Sequence, residues 1–166
     1  MNGIHIRKGY LPGAIGRVVE LHGRYYSRHW GFGSFFEAKV AREMALFMDS
    51  YDDQRDGLWT VAINDRVQGA IVIDGAHAEG QGAHLRWFVV SERLQGQGIG
   101  GRLIGEAMAF CRSRGYGRVY LWTFEGLYAA HRLYEKAGFE LVAQQEGRQW
   151  GREVNEQQWV LQVHGE

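Results

Sequence analysis

The sequence is poor in cysteine and proline, and it has neither a long apolar run nor a net charge. Its one cysteine, Cys111, excludes an internal disulfide and any metal site built from several thiolates. No stretch approaches the roughly 18 uninterrupted apolar residues of a membrane-spanning helix, and residues 1–6 lack the apolar run of a signal peptide. These absences predict a cytoplasmic protein with no membrane partner.

Positive and negative charges balance, with 19 Lys and Arg residues and 19 Asp and Glu residues. Such a chain has no overall basic field to attract nucleic acid, so we expect no nucleic-acid partner. The seven histidines show no H-E-x-x-H or similarly paired spacing, and we therefore expect no metal site.

The order of the predicted elements indicates a single mixed α/β domain. Apolar residues recur at helical spacing over 12–27 and 35–50, and β-rich runs follow after residue 57. Ser34 and Glu37 match a capping box, which predicts Ser34 as the N-cap of the second helix. The other predicted elements are strands over 4–7, 58–63, 67–73, 83–90, 118–123, 139–143 and 158–163, a helix ending near 115, and a helix over 127–137.

A glycine-rich loop between a predicted strand and a predicted helix is the clearest functional signal. Gly96, Gly98, Gly100 and Gly101 fall within six residues, and glycine lets a backbone approach a ligand closely. The following helix offers unpaired N–H groups and the positive end of its dipole, which together suit a phosphate. Arg102, with Arg93 as a second candidate, is expected to add a local cation.

The loop by itself leaves three interpretations open. It satisfies the G-x-G-x-x-G dinucleotide fingerprint, with Glu125 after the next strand as the ribose-binding acid, and it could also be a tight turn without a ligand. The context disfavours a nicotinamide site, because about 95 residues precede the loop and too few follow it to complete a doubly wound sheet.

Two separated motifs resemble those of the GNAT acetyltransferases. Gln95-x-x-Gly98-x-Gly100 is similar to the Q/R-x-x-G-x-G/A signature of that family, and Leu133–Phe139 is similar to its L-Y-E-K-x-G-F segment. The resemblance implies one N-acetyltransferase domain over 1–166 with a central mixed, mostly antiparallel twisted sheet flanked by helices. Residues 1–55 would form the substrate-side helices, 56–145 the acetyl-CoA-binding core and 146–166 the C-terminal strand.

Some shorter stretches, among them Leu121-Trp122-Thr123, resemble GNAT domains that follow a MarR-like winged helix in bacterial fusion proteins. This likeness implies a stand-alone relative of those domains. A homodimer through the C-terminal strands is a further possibility that the family suggests.

The resemblance also implies how acetyl-CoA is held. Its pantetheine arm would pair with the main chain of the strand end, and its pyrophosphate would accept hydrogen bonds from the loop amides. Tyr128 lies where the family often carries Asn, and Tyr134 would protonate the leaving thiolate as general acid. The implied cofactor residues are Phe88, Val89, Val90, Gln95, Gly96, Gln97, Gly98, Ile99, Gly100, Gly101, Tyr128 and Tyr134.

The chemistry of acetyl transfer to an amine adds further expectations. A backbone N–H at a splay near Trp87-Phe88-Val89 is the natural donor to the developing oxyanion. His84, Glu37 and His22 are candidates for a general base, although water can relay the proton instead. The aromatic residues between 25 and 36 form either core or a wall of the acceptor pocket.

The function predicted from the sequence is direct acetyl transfer from acetyl-CoA to an amine of a small molecule or protein. Two alternatives stay open at this point. One is an acetyl-CoA-sensing module without turnover, and the other is a nicotinamide-dependent oxidoreductase.

Overall fold

The computed structural model describes residues 4–163, so the ends of the predicted ranges 1–55 and 146–166 lie partly outside the described residues. No helix in this range is long and apolar enough to cross a membrane. In chain order the elements are β1 (Ile6–Lys8), α1 (Ala14–Trp30), α2 (Ser34–Asp49), β2 (Gly57–Ile63), β3 (Arg66–Asp74), β4 (Ala83–Val90), a 3-10 turn (Glu92–Leu94), α3 (Ile99–Ser113), β5 (Arg118–Phe124), α4 (Tyr128–Ala137), β6 (Glu140–Gly147) and β7 (Val154–Gln162).

One seven-stranded sheet runs through the described residues in the order β1-β2-β3-β4-β5-β7-β6. Every neighbouring pair is antiparallel except β4 and β5. This topology confirms the predicted mixed, mostly antiparallel sheet. A doubly wound dinucleotide-binding sheet is mostly parallel, so the fold does not support the nicotinamide alternative.

The sheet is covered on both sides, because successive residues along β2 and β3 point to opposite faces. One face packs against α3 and the other against α1 and α2. Residues 67–73 of β3 are buried without interruption, as expected for a central strand between two helical layers. The α3 face contains Trp59, Val61, Ile71, Ile73, Leu103, Ala107 and Cys111, and the opposite face contains Val18, Met44, Phe47, Leu58, Ala70 and Val72.

The capping box predicted for the second helix is wrong. Ser34 is the first helical residue, and the N-cap is Gly33, whose backbone is extended and which makes no side-chain cap bond. A serine already inside the helix does not have the extended N-cap backbone that lets its hydroxyl accept from the third helical amide. The Glu37 side chain instead lies against Gly23 of α1.

The two C-terminal strands are longer than the sequence predicted. β6 pairs over its whole length with residues 154–160 of β7 as an antiparallel hairpin, with one register shift between Leu141 and Ala143. β6 is an edge strand, and residues 140–146 are exposed. Its polar second half therefore lacks the alternation of a half-buried strand, and backbone pairing with β7 supplies the order instead.

Candidate active site

A cleft of about 640 Å³ lies beside the glycine loop, where the C-terminal end of β4 meets α1 and α4. We call it the cofactor cleft. Most of the predicted cofactor residues line it, but Gln97 and Tyr134 do not. The predicted residues that line it are Phe88, Val89, Val90, Gln95, Gly96, Gly98, Ile99, Gly100, Gly101 and Tyr128.

The glycine loop is shaped by backbone conformations that other residues adopt poorly. Gly96 and Gly98 have φ angles of 80° and 76°, in the left-handed region. Gly98 is also the N-cap of α3 and makes no side-chain cap bond, so the first helical amides remain available to a ligand. At Gly100, a Cβ would lie 2.8 Å from Leu133 Cδ1 and 3.2 Å from Phe88 Cζ. Glycine there lets α3 pack closely against α4 and β4.

The arginine that lines the cofactor cleft is not the one expected from the sequence. The Arg102 guanidinium donates to the carbonyl oxygen of Ile4 at 3.1 Å, and neither Arg102 nor Arg93 lines the cofactor cleft. Arg132 of α4 lines it instead. The available signal was its helical spacing, since Arg132 follows Tyr128 by four residues and so lies on the same helix face.

A second cavity of about 180 Å³ adjoins the cofactor cleft, and we call it the inner cavity. Tyr26, Phe88, Leu127 and Ala130 line both spaces, so the two meet at these residues. Residues of α1, α2, β4, β5 and α4 contribute to the wall. Aromatic side chains dominate it: Tyr26, Phe36, Trp87, Phe88, Trp122, Phe124, Tyr134 and Trp150.

The strands β4 and β5 separate at the point where the two spaces meet. Their parallel pairing covers only Ala83 with Val119 and His84 with Tyr120 within the described residues. Further along, the β3–β4 register shifts between Ala70 and Val72, and Trp87 takes a φ of 47°. A positive φ is uncommon for a bulky non-glycine residue and often marks a functional position. The sequence analysis predicted a splay near Trp87-Phe88-Val89, and β4 and β5 do separate before these residues.

Tyr134 lies in the inner cavity wall, with 6% of its surface exposed. Its ring packs 6.0 Å from that of Phe88 and 6.2 Å from that of His131, measured between centroids. Burial raises the pKa of the Tyr134 phenol far above its ordinary value. The phenol therefore keeps its proton at any usable pH.

Two of the three candidate bases reach the inner cavity. His22 is buried, with Nδ1 2.8 Å from the carbonyl oxygen of Val18. Because a carbonyl only accepts, Nδ1 carries the proton and Nε2 is the acceptor nitrogen. His84 stacks on Tyr120 with centroids 4.4 Å apart. Glu37 lines neither space.

Both histidines are neutral near pH 7. Burial lowers the pKa of His22 to about 4. Burial, together with the charge of Arg86, lowers the pKa of His84 to about 3. Each ring can therefore accept a hydrogen bond from an amine, but neither is a strong base at neutral pH.

The aromatic residues between 25 and 36 divide between core and site. Tyr26 and Phe36 line the inner cavity, and Tyr25 lines the cofactor cleft. Phe32 is core, at 2% exposure, whereas Phe35 is 56% exposed. The stretch therefore divides between packed core, the walls of the two spaces and the exposed surface.

Cys111 lines neither the cofactor cleft nor the inner cavity. Cys111 is fully buried in the α3 core, and burial raises the pKa of its thiol to about 12. Within residues 4–163, no three His, Cys, Asp or Glu side chains are grouped so that they could hold a metal ion.

Comparison with known sequences and structures gives one family. Residues 17–139 match the Acetyltransferase (GNAT) family. The chain is 30% identical over 116 residues to the N-acetylaspartate synthetases of Homo sapiens and Rattus norvegicus. That segment is 70% of this chain but only 38% of the human protein, so the chain spans less than half the length of these relatives.

Solved structures share the fold. An acetyltransferase from Streptococcus agalactiae superposes with a TM-score of 0.75 at 18% identity, covering 98% of this chain and 100% of that one. An acetyltransferase from Salmonella typhimurium, determined with its cofactor acetyl-CoA, gives a TM-score of 0.74 at 16% identity and covers 99% and 96% of the two chains. Because the family match spans most of the sequence and the mixed sheet agrees with it, this chain belongs to the GNAT family of acetyltransferases.

Proposed function

We propose that this protein transfers the acetyl group of acetyl-CoA to an amine held in the inner cavity. The observation that carries the proposal is the meeting of the two spaces at Phe88, beside the separation of β4 and β5. A thioester lying in the cofactor cleft would present its carbonyl carbon at that junction. The amine would then approach it from the inner cavity.

Different parts of the cofactor cleft would bind successive parts of acetyl-CoA. The pantetheine arm would pair with the main chain of Phe88 and Val90, as an added strand pairs with a sheet edge. The pyrophosphate would accept hydrogen bonds from the amides between Gln95 and Gly101, with Arg132 as the nearby cation. A Cβ at Gly98 would have no protein atom within 4 Å, so the approach to these amides is open.

The reaction itself forms one bond and breaks one. The lone pair of a neutral amine attacks the thioester carbon, the C–N bond forms, and the C–S bond breaks with its electron pair on sulfur. The amine nitrogen loses one proton and the thiolate gains one. A backbone N–H near Trp87 would donate to the transient oxyanion, which costs little reorganisation in a fixed backbone.

Tyr134 and the two histidines would handle the protons. The raised pKa of Tyr134 keeps its hydrogen available, and the hydroxyl would donate it to the departing sulfur. Donation leaves a phenolate, which is a strong base because the pKa of Tyr134 is raised, and it would regain a proton from the one that the amine loses in the same turnover. Nε2 of His22 would accept a hydrogen bond from the amine and orient its lone pair, with His84 as the second candidate for that contact.

The acceptor is proposed to be a small molecule. The relatives' name, N-acetylaspartate synthetase, refers to an acetylated amino acid, and the inner cavity of about 180 Å³ suits a small acceptor. The single-domain boundaries, the cytoplasmic location and the homodimer stay predictions. Residues 1–55 would serve the acceptor side, although Tyr25 and Tyr26 of α1 also reach the cofactor cleft.

The proposal is tested first by binding. Acetyl-CoA at 100 times its Kd should stabilise the fold by about 2.7 kcal/mol, which raises the Tm of a domain this size by roughly 5–10 °C. NAD and NADP should give no shift. Release of free thiol with an amine panel, corrected for hydrolysis, then separates an enzyme from an acetyl-CoA-sensing module, which would show the thermal shift alone.

Tyr134→Phe tests the proton donor in the same assay. The change removes one oxygen and keeps the ring packing, so kcat should fall by roughly 100-fold while the Kd for acetyl-CoA stays within about twofold. Tyr116→Phe is the matched control, because Tyr116 is hydrogen bonded to the Arg55 carbonyl oxygen, away from both spaces. An unchanged kcat in Tyr134→Phe would remove Tyr134 from the mechanism.

A further inference from the structure

A charged cluster lies in the wall of the inner cavity, which is otherwise lined by aromatic, aliphatic and uncharged polar side chains. Lys39 and Glu43 of α2 line the cavity together with Arg86 of β4. Lys39 Nζ lies 3.0 Å from Glu43 Oε1, and Arg86 Nη2 lies 3.5 Å from the same oxygen. Outside the cavity lining, Asp74 Oδ2 lies 3.5 Å from Arg86 Nη1. Two cations and one carboxylate therefore face the cavity.

Arg86 is held in place but weakly paired. Its guanidinium carbon lies 4.1 Å from the centroid of the Trp87 ring, and stacking of this kind fixes the plane of the group. Only 19% of its side chain is exposed. Charge-assisted bonds to carboxylates are normally about 2.7–2.9 Å long, so the two contacts at 3.5 Å leave most of its five N–H donors weakly used.

Apart from Lys39, Glu43 and Arg86, no described side chain that lines the inner cavity is charged at neutral pH. His22 and His84 are neutral at neutral pH, because burial lowers the pKa of each. The remaining lining side chains are aromatic, aliphatic or uncharged polar groups. A partly buried arginine that is stacked and loosely paired is suited to a planar carboxylate that can accept two parallel hydrogen bonds.

The position of Arg86 relates this anion site to the reacting centre. Arg86 precedes Phe88 by two residues on β4, so their Cα atoms are at most about 7 Å apart across the irregular Trp87. A carboxylate on Arg86 and an amine near Phe88 are therefore separated by a few bonds of one small molecule. The cavity of about 180 Å³ is close to the size of 150 Å³ cavities that accommodate benzene in another protein, so a modest apolar side chain would fit beside Phe36 and Phe124.

We propose, on the basis of the function proposed above, that the acceptor is a free amino acid with an apolar side chain, and that Arg86 binds its carboxylate. Lys39 contacts the same Glu43 oxygen as Arg86 and adds a second positive charge there. The aromatic wall contacts the side chain of the acceptor, and the amine points towards the separation of β4 and β5. A protein lysine or a simple amine lacks the carboxylate that this arrangement recognises.

Matched acceptor pairs test the proposal on the wild-type protein. Each pair is an amino acid and the amine that remains after loss of its carboxylate: phenylalanine with phenethylamine, leucine with isoamylamine, and valine with isobutylamine. We expect kcat/KM to be at least tenfold higher for the amino acid in every pair. A peptide with a lysine side chain as its only free amine should be a poor acceptor.

Arg86→Gln then assigns the effect to one side chain. We expect KM for the amino acids to rise at least tenfold and KM for the matched amines to change less than twofold, with Arg86→Lys in between. Arg42→Gln is the control, because Arg42 is exposed on the same helix as Lys39 and does not line the cavity. The acetyl-CoA thermal shift, measured on each variant, reports that it is folded and binds the cofactor.

The outcomes separate this inference from the function on which it rests. Acetylation of the simple amines at equal or higher kcat/KM would overturn the carboxylate site and leave the acetyltransferase function intact, and preferred lysine peptides would do the same. An absent acetyl-CoA shift, or a shift with no thiol release for any acceptor, would overturn both. If Arg86→Gln does not fold, the wild-type pairs still decide the question.

Discussion

Two glycines at opposite ends of α3 share a backbone conformation but have different surroundings. Gly98 and Gly115 have φ angles of 76° and 73°, and a Cβ on either would find no protein atom within 4 Å. Only Gly98 lines the cofactor cleft. The pair therefore separates backbone strain, which both positions share, from obstruction of a ligand, which is confined to the glycine loop.

We expect Gly98→Ala to lose acetyl-CoA binding and Gly115→Ala to keep it. A residue with a Cβ in the left-handed region costs about 1–2 kcal/mol, so both variants should unfold at a similarly lower temperature. The added methyl at residue 98 would also occupy the approach to the first amides of α3, and the Kd should rise at least tenfold. Calorimetric titration with acetyl-CoA measures this, and equal affinity in the two variants would contradict the assignment of the loop.

Single residues also mark the limit of what the sequence predicts about the site. The glycine loop is predicted because the spacing of its glycines is itself the signal, and Tyr134 is predicted because the segment Leu133–Phe139 resembles a family motif. Arg86 and Glu43 were missed because they meet across β4 and α2, and no sequence period reports such a contact. Arg102 was misplaced for a related reason, since its partner Ile4 is 98 residues away.

At the scale of elements, the reliability of the predictions follows the strength of their patterns. The strand predicted over 83–90 and the helix after the glycine loop agree with β4 and α3, because apolar residues define their period and strong turn residues bound them. Polar β6 was predicted too short. The start of α2 was misread, because Ser34 and Glu37 have the capping spacing while the backbone turns one residue earlier, at Gly33.

The position of the N-cap of α2 predicts different effects on stability for substitutions at Ser34 and at Gly33. If Ser34 were the N-cap, Ser34→Ala would cost about 1 kcal/mol. Since Gly33 is the N-cap, Ser34→Ala should change the free energy of unfolding by less than about 0.5 kcal/mol. Gly33→Asp should instead stabilise the protein by about 0.5–1 kcal/mol, because it supplies the missing cap, adds a negative charge at the helix start and restricts the unfolded chain. Urea denaturation of both variants measures these changes, and a large loss in Ser34→Ala would restore the capping box.

At the scale of the whole molecule, the inner cavity links stability to pH. It lies between the layer of α1 and α2 and the sheet, and it encloses His22, whose folded pKa of about 4 is below its ordinary value near 6.5. Between these two values the unfolded chain binds a proton at this residue and the folded protein does not. Stability therefore rises with pH in that window, is complete above about pH 6.5, and is lost progressively as the pH falls towards 4.

We expect His22→Gln to flatten this dependence. A pKa lowered to about 4 corresponds to about 2 kcal/mol lost between pH 7 and pH 5, and a glutamine cannot take up the proton that causes the loss. The variant can be less stable than wild type at pH 7, because the Nδ1 bond to Val18 and the ring packing change, but its loss between pH 7 and pH 5 should be smaller by that amount. His77→Gln, at an exposed position, should follow the wild-type curve. Urea denaturation at pH 7 and pH 5 measures the difference. If His22→Gln and wild type lose the same free energy of unfolding between these pH values, His22 is not held neutral by burial. That result would also remove the neutral acceptor nitrogen proposed to orient the amine.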